Sequence, residues 1–332
     1  MADSETRDRR RRRLTLCSLV RKLVIGDNNS VGDLNDFTRF LENHVNIGRE
    51  RLLELDTRVE RLRTALWRHD GFRDKDPQFV PQGSWAQQTI IAPSPGREFD
   101  ADLLVCWRPE ARWRERPREY LHALHAVVAE TVRDRYPIRM KTRCVEISFG
   151  DHHVDLVPYV VRPRAELWPR GYIVNRHENQ FERVNPEGFT HWFLDQDSTA
   201  AGHLRPVTRL LKFARNREAG LEVPSVILTI LLGQQVHRGV AASGGYQDVP
   251  TALRSLVGGL DRWLAARPTM PRIADPSCWG AGFEHRLDPQ SYQGLRRWVA
   301  ECAVTVEAAA ASGNRPEQVR CWRRFFGDSF GE

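Results

Sequence analysis

The chain has 332 residues, a formal net charge of +7 at pH 7 and a pI of about 9.3. Its hydrophobic fraction of 41% is sufficient for a packed core, which argues against wholesale disorder, and its length leaves room for two lobes or one large domain. The excess of basic residues favours an anionic ligand such as a nucleoside triphosphate or a nucleic acid.

The six cysteines are scattered along the chain and form no Cys-x-x-Cys pair. This pattern argues against a zinc knuckle and a disulfide framework, and it indicates a reducing cytoplasm. No apolar run approaches the ~20 residues that span a bilayer, and the basic N-terminus lacks the apolar region and cleavage site of a signal peptide. We therefore expect a monomeric cytoplasmic protein that does not associate with membranes.

Residues 1–30 are predicted to form a basic segment with a short helix over 14–25. Arg7 and all residues of 9–13 are arginine; such a run is typical of a solvated tail, with contact to a nucleic acid or a partner as the alternative. From Leu34 to Trp67, apolar residues recur every three or four positions. This stretch predicts one long amphipathic helix, or two joined near 46–48, that serves as scaffold.

Residues 71–81 are polar and predict a loop that leads into the turn Gly83-Ser84. Glycine lets the backbone approach a phosphate closely, and the N–H groups at the start of the short helix that follows favour an anion. A Gly-Ser pair alone is a weak signal. It gains weight from the acidic strand that comes after it.

Two carboxylates lie on alternate residues of this predicted strand. Side chains alternate between the faces of a strand, so Asp100 and Asp102 share a face, with Cα atoms roughly 6.5–7 Å apart. Asp155 supplies a third acid on another short apolar strand. Three carboxylates suit a pair of divalent ions ~3.5–4 Å apart, and oxygen ligands favour magnesium or manganese over zinc. The turn and the acids together predict a nucleotidyltransferase centre.

The chain between the acidic strands is predicted to contain a helix over 117–136 and a β-hairpin. In the hairpin, 138–149 pairs with 152–161 across a two-residue turn at 150–151. Asp155 lies on its second strand, where a charge is costly to bury unless it is paired or metal-bound. A bond from Asp155 to a neighbouring arginine is the alternative interpretation. His152 and His153 point to opposite faces of this strand and do not readily share one metal ion.

The C-terminal part is predicted to be helical after a stretch of loops and short strand pieces over 162–186. The predicted helices are 188–197, 203–218, 224–238, 251–266, 292–311 and 316–326, with a flexible link at 241–245 and an irregular connection at 268–289. Lys212, on the second helix, is the candidate to grip a triphosphate across a cleft; an ordinary solvated lysine is the alternative. Four aromatic residues are candidates for base stacking or for core packing: Tyr159, Trp168, Tyr172 and Trp192.

The order of these motifs resembles that of the polymerase-β-type nucleotidyltransferases. The segments are Gly83-Ser84, then Phe99-Asp100-Ala101-Asp102, then His153-Val154-Asp155-Leu156-Val157-Pro158. Within that superfamily, the chain is most similar to the bacterial cyclic-oligonucleotide synthases of anti-phage signalling, which are relatives of cyclic GMP–AMP synthase and oligoadenylate synthase. The helix that bears Lys212 and the following Pro224-Ser225 also resemble family segments.

The resemblance implies an α+β fold in which a nucleotidyltransferase core with a mixed sheet, at 31–190, meets a helical lobe at 191–332. The active site is expected in the cleft between them. Two magnesium ions, or manganese, are expected on Asp100, Asp102 and Asp155. The triphosphate contacts implied by the resemblance are Gly83, Ser84, Lys212 and Ser225. Several relatives have an aromatic residue where this chain has Val226, so the base-stacking residue is unassigned.

These observations favour a synthase that condenses nucleoside triphosphates, ATP among them, into a cyclic di- or trinucleotide second messenger. A regulatory protein or a nucleic-acid activator is the expected partner, although the absence of a zinc-ribbon cysteine cluster gives no support to DNA-clamped activation. Two alternatives stay open. One is a linear oligonucleotide synthase or RNA terminal nucleotidyltransferase, and the other is an inactive regulator that binds nucleotides or nucleic acid.

Overall fold

The computed structural model of the protein describes residues 33–73, 77–94, 98–132, 135–161 and 171–332. The predicted basic segment at 1–30, with its arginine run and its helix, lies outside these ranges, and so does Trp168. Helices and a mixed sheet combine in an α+β fold, as the sequence predicts. No helix in the described ranges is long and apolar enough to cross a bilayer.

A mixed β-sheet forms the centre of the N-terminal half. In the described residues its strands are β1 (Gln78–Gln82), β2 (Phe99–Trp107), β3 (Ile138–Met140), β4 (Val145–Ser148), β5 (His152–Val161), β6 (Gly171–Asn175) and β7 (Gln180–Val184). Five of them follow the order β1-β2-β5-β4-β3. β6 pairs with the C-terminal end of β5, and β7 pairs with β6. Only the β2–β5 pair is parallel among these strands.

Three strand assignments differ from the sequence prediction. The loop predicted at 71–81 is wrong, because it contains one helical turn, α3 (Asp70–Arg73), and most of β1. β1 pairs with β2 alone, and an edge strand tolerates its Pro81. The predicted strand 138–149 is divided into β3 and β4, which pair with each other. In the stretch 162–186, the strand piece predicted around 171–173 is confirmed as β6, whereas β7 was not predicted.

The helices follow the predicted pattern with shifted ends. In the described residues they are α1 (Asp33–Phe40, which continues as a π-helical turn over Leu41–Val45), α2 (Arg49–Arg68), α4 (Gly83–Ala86), α5 (Arg118–Val132), α6 (Pro186–Thr199), α7 (Leu204–Arg217), α8 (Ser225–Gly233), α9 (Arg238–Ala242), α10 (Val249–Ala265), α11 (Pro289–Ala311) and α12 (Arg315–Phe326). The apolar stretch from Leu34 to Trp67 is therefore two helices with a break at 46–48. The predicted flexible link at 241–245 begins inside α9.

Two large hydrophobic clusters divide the fold. One lies between the sheet and the helices α2 and α5, where Leu55, Leu66 and Leu121 are fully buried. The other is built from α6 to α12, and α1 joins it through Phe37, whose ring contacts Trp322 at a centroid distance of 5.0 Å. The domain boundary at residue 190 stays a prediction, and α1 packs with the helices that follow that boundary.

Candidate active site

The three predicted acids lie together on one face of the sheet. The parallel register pairs Asp102 on β2 with Asp155 on β5, and side chains opposite each other in a ladder point to the same face. Asp100, two residues before Asp102, shares that face. All three line one cavity of about 640 Å³ between the sheet and the helices α6 to α8. We call this group, Asp100, Asp102 and Asp155, the acidic wall.

Within the described part of the chain, Asp155 pairs with a lysine and with no arginine, so the alternative of an arginine partner is wrong there. Lys141 Nζ lies 3.4 Å from each carboxylate oxygen of Asp155 and also forms an ion pair with Glu146. Burial opposes the charged form of Lys141, but these two acids outweigh it and raise its pKa. One acid of the acidic wall therefore has a protein cation beside it.

Asp100 and Asp102 have no such cation. Within the described ranges, no basic nitrogen lies within 4.0 Å of either carboxylate. Burial raises the pKa of Asp102 to about 7, and the charges of Asp100 and Asp155 add to the rise, against the weaker opposing effect of Arg286 and Lys141. Uncompensated carboxylates that repel one another in a cavity are suited to hold a divalent cation.

The chemistry of the donors fits magnesium or manganese. The acidic wall offers only carboxylate oxygens, which are the ligands these hard cations prefer. Cys144 also lines the cavity, and burial, followed by the charge of Asp155, raises the pKa of its thiol in the metal-free protein. Among the described residues, the ligand atoms that all lie within 4.8 Å of one another belong to Glu146, His153 and Asp155, so the acidic wall fits the predicted ions by the chemistry of its donors and not by their present spacing.

Gly83 lies against the acidic wall and has two reasons to be glycine. Its φ of +61° is in the left-handed region, where other residues are strained. A Cβ on Gly83 would also lie 2.5 Å from Oδ2 of Asp102, far inside van der Waals contact. Gly83 begins α4, and Ser84 follows it on the cavity surface. The predicted Gly-Ser turn is thus in direct contact with the predicted acids.

Lys212 is buried, so the alternative of a solvated lysine is wrong. Its side chain on α7 is 3% exposed, and its Nζ donates to the carbonyl oxygen of Thr89 at 3.1 Å and to Thr89 Oγ1 at 3.0 Å. Burial lowers its pKa to about 7, and Arg215 adds to this effect, while Asp100 and Asp102 oppose it. Lys212 lines the same cavity as the acids.

Ser225 begins α8 and also lines the cavity, where Arg215 contacts it. Arg215 Nη1 donates to Ser225 Oγ at 3.1 Å and to the carbonyl oxygen of Val223 at 2.7 Å. Sequence reasoning missed Arg215, although its place three residues after Lys212 on one helix was a usable signal. We call Lys212, Arg215 and Ser225 the basic wall.

The histidines behave as the strand geometry predicts. His152 is buried between Phe99 and Phe149, whose rings lie at centroid distances of 4.9 Å and 5.2 Å. His153 points to the cavity face, where its ring nitrogen, Glu146 and Asp155 offer ligand atoms within 4.8 Å of one another. Lys141 already pairs with both acids of that group.

The three aromatic candidates for base stacking that lie in the described ranges are not at the cavity. Tyr159, Tyr172 and Trp192 do not line it, and Trp192 packs on Phe189 at a centroid distance of 5.6 Å. The aromatic rings that line it within the described ranges are Phe99, Phe189 and Phe283. Val226 is also on its surface, as an aliphatic side chain.

Comparisons with known proteins identify relatives of this chain. Residues 33–197 match the family described as the Second Messenger Oligonucleotide or Dinucleotide Synthetase (SMODS) domain. The chain is 20% identical over 276 residues to the cyclic AMP-AMP-AMP synthase of Acinetobacter sp. (strain ATCC 27244 / 9458), across 81% of this chain and 77% of that protein. The acids and the Gly-Ser turn fall inside the domain match, and the basic wall follows it.

Solved structures share the fold. CdnC of E. coli MS115-1 with ATP has a TM-score of 0.69 at 19% identity, over 91% of this chain and 99% of that chain. Its complex with HORMA-deltaN has a TM-score of 0.68 at 17% identity, over 90% and 98%. CdnG of Bradyrhizobium diazoefficiens with GTP has a TM-score of 0.69 at 19% identity, over 90% and 96%. Residues 33–197 therefore form a domain of the Second Messenger Oligonucleotide or Dinucleotide Synthetase family, in agreement with the nucleotidyltransferase family that the motif order resembles.

Proposed function

We propose that this enzyme condenses nucleoside triphosphates into a cyclic di- or trinucleotide second messenger of anti-phage signalling, with release of pyrophosphate. The observation that carries the proposal is the in-register pairing of Asp102 with Asp155 beside Asp100, in a cavity that also contains Gly83 and Lys212. The product class is supported by the domain description and by the name of the Acinetobacter relative.

In this proposal the acidic wall holds two magnesium ions, with manganese as a substitute. Two such ions, when bound, supply activation of the attacking hydroxyl and neutralisation of charge on the transferred phosphoryl group. Asp102 must be ionised to serve as a ligand, and the cation provides the charge that its surroundings lack.

The protein's own residues position the triphosphate. Gly83 has no side chain to block a phosphate beside Asp102. Ser225 Oγ accepts a hydrogen bond from Arg215, so its own O–H stays free to donate to a phosphate oxygen. Lys212 and Arg215 contribute positive charge that the fold already holds in place.

The substrates and partner in this proposal are nucleoside triphosphates and a regulatory protein. Relatives bound to ATP and to GTP support the first, and the complex of CdnC with HORMA-deltaN supports the second. Which bases this enzyme joins depends on the cavity surface around Phe189 and Phe283.

The direct test is to incubate the enzyme with all four nucleoside triphosphates and magnesium, measure pyrophosphate and identify products by mass spectrometry, and then repeat the identification on a sample treated with phosphatase. We expect a phosphatase-resistant cyclic product and an equivalent amount of pyrophosphate. The matched control is the folded Asp100→Asn/Asp102→Asn variant, which should yield neither. A linear product with a free triphosphate end would identify the linear synthase instead, and no product with any nucleotide would contradict the proposal.

A further inference from the structure

Four basic side chains line the cavity within the described ranges: Arg143, Lys212, Arg215 and Arg286. Three of them donate to protein acceptors. Arg143 forms a two-pronged ion pair with Glu182, with both N–O distances at 2.7 Å, and Lys212 and Arg215 have the partners given above. Arg286 differs, because its guanidinium makes no hydrogen bond or ion pair with any residue in the described part of the chain.

The fold nevertheless presents Arg286 in a defined position. It ends a 3₁₀ turn, Glu284–Arg286, in the connection between α10 and α11, and its backbone N–H donates to the carbonyl oxygen of Phe283 at 2.9 Å. The next residue, Leu287, is buried and joins the helical core. The guanidinium carbon lies 5.9 Å from the centroid of the Phe283 ring. A guanidinium beside an aromatic ring keeps the N–H donors at its edge available.

The charges around Arg286 leave room for an anion. Burial lowers its pKa, and Arg143 adds to this effect, while Asp102 and Glu182 oppose it. Glu182 is already occupied by Arg143 and by Asn175 Nδ2, which donates to it at 2.8 Å. Asp102 is needed for the metal ions. Arg286 is exposed at the edge of the cavity, so its guanidinium is open to an anionic ligand that enters from solution.

We propose that Arg286 binds a phosphate group of a substrate nucleotide, on the side of the cavity lined by Arg143. This inference rests on the proposed function and adds a contact to the residues that the family resemblance implies. A phosphate presents two oxygens to the planar fork of a guanidinium, which makes it the anion that best matches the free donors of Arg286. Arg286 lies in the connection between α10 and α11. It therefore belongs to neither the acidic wall nor the basic wall.

The test is calorimetric titration with inorganic triphosphate and magnesium, a probe that carries no base. We expect Arg286→Ala to weaken binding about 10- to 100-fold, as for loss of a charge-assisted bidentate contact. Arg286→Lys should recover part of the loss, because lysine restores the charge but not the fork. Arg297→Ala is the matched control, since Arg297 is an exposed arginine on α11 that does not line the cavity, and it should bind as the wild type does.

Unchanged triphosphate affinity in a folded Arg286→Ala protein would overturn the inference. If that variant also bound Mn²⁺ more tightly than the wild type, the role of Arg286 would be to balance the charge of Asp102 and not to bind phosphate. The assay needs no turnover, so it separates this inference from the proposed function. A wild type that makes product while Arg286→Ala binds normally defeats the inference alone. A wild type that makes no product but loses affinity on Arg286→Ala defeats only the synthase.

Discussion

The two walls of the cavity hold their charged side chains in opposite ways. On the basic wall, Lys212 and Arg215 donate to protein oxygens before any ligand is present. On the acidic wall, Asp100 and Asp102 have no cation within 4.0 Å in the described residues, and the pKa of Asp102 is raised to about 7. The fold thus holds the proposed phosphate-binding groups by hydrogen bonds to protein oxygens, and it leaves the proposed metal ligands Asp100 and Asp102 without a neighbouring cation in the described residues.

The largest effect should come from Asp102→Asn, which keeps the shape of the side chain and removes its charge. Loss of a metal-ligating carboxylate should lower kcat by on the order of 10³-fold or more. The same change should stabilise the metal-free protein near about pH 8 by about 1–2 kcal/mol, a value discounted for the open cavity, or roughly 1–3 °C in Tm.

The sign of this stability effect depends on pH. Because the pKa of Asp102 is raised from 3.8 to about 7, the carboxyl destabilises the fold increasingly as pH rises through that window. The Tm gap between variant and wild type should therefore be small near about pH 4 and full near about pH 8. If Asp102→Asn were less stable than the wild type at the higher pH, repulsion among the carboxylates of the acidic wall would not be what destabilises the metal-free protein.

The next effect concerns the contact between Gly83 and the acidic wall. Gly83→Ala combines a left-handed φ of +61° with an approach of 2.5 Å to Asp102 Oδ2. Gly220→Ala is the control, because its φ of +76° is equally unfavourable but nothing lies within 4 Å of its Cβ. Both should lose about 1 kcal/mol of stability from backbone strain, and only Gly83→Ala should also lose turnover, by about 10-fold or more. Equal kinetics for the two variants would show that the carboxylate contact does not matter.

The smallest effect tests the basic wall. Burial lowers the pKa of Lys212 from 10.5 to about 7. Between these two values the lysine is largely neutral in the folded protein and protonated in the unfolded chain, so the free energy of unfolding of the wild type should rise with pH. Urea unfolding at about pH 7.5 and 9.5 should show this slope, and Lys212→Met should reduce it by about 1 kcal/mol. Lys141→Met is the control, because the pKa of Lys141 is raised and the residue titrates above this range. An unchanged slope in Lys212→Met would mean that the lysine is charged throughout.

The sequence predicts the acidic wall better than the basic one, for physical reasons. Asp100 and Asp102 follow the two-residue period of a strand, so their shared face can be read directly. The register between Asp102 and Asp155 could not be, because spacing along the chain does not indicate that β2 and β5 pair in parallel. β1 was missed because its five residues, with Pro81 and two glutamines, lack an apolar alternation.

Basic residues carry less information in this chain. All but four of its 50 basic residues are arginine. An arginine that lines the cavity therefore cannot be told from the many other arginines by the sequence alone. Lys212 follows the polar side of an amphipathic helix pattern, which is typical of a solvated residue, and only the fold shows that Thr89 covers it. Arg286 lies in an irregular connection without any periodicity, so no pattern could assign it to the cavity.

The most direct measurement is the binding of Mn²⁺, followed by electron paramagnetic resonance, with a non-hydrolysable nucleoside triphosphate present. The account predicts tight binding by the wild type and an affinity at least about 10-fold weaker for a folded Asp100→Asn/Asp102→Asn protein. Equal Mn²⁺ affinity in the two proteins would contradict it, since the uncompensated carboxylates would then not be what holds the ion.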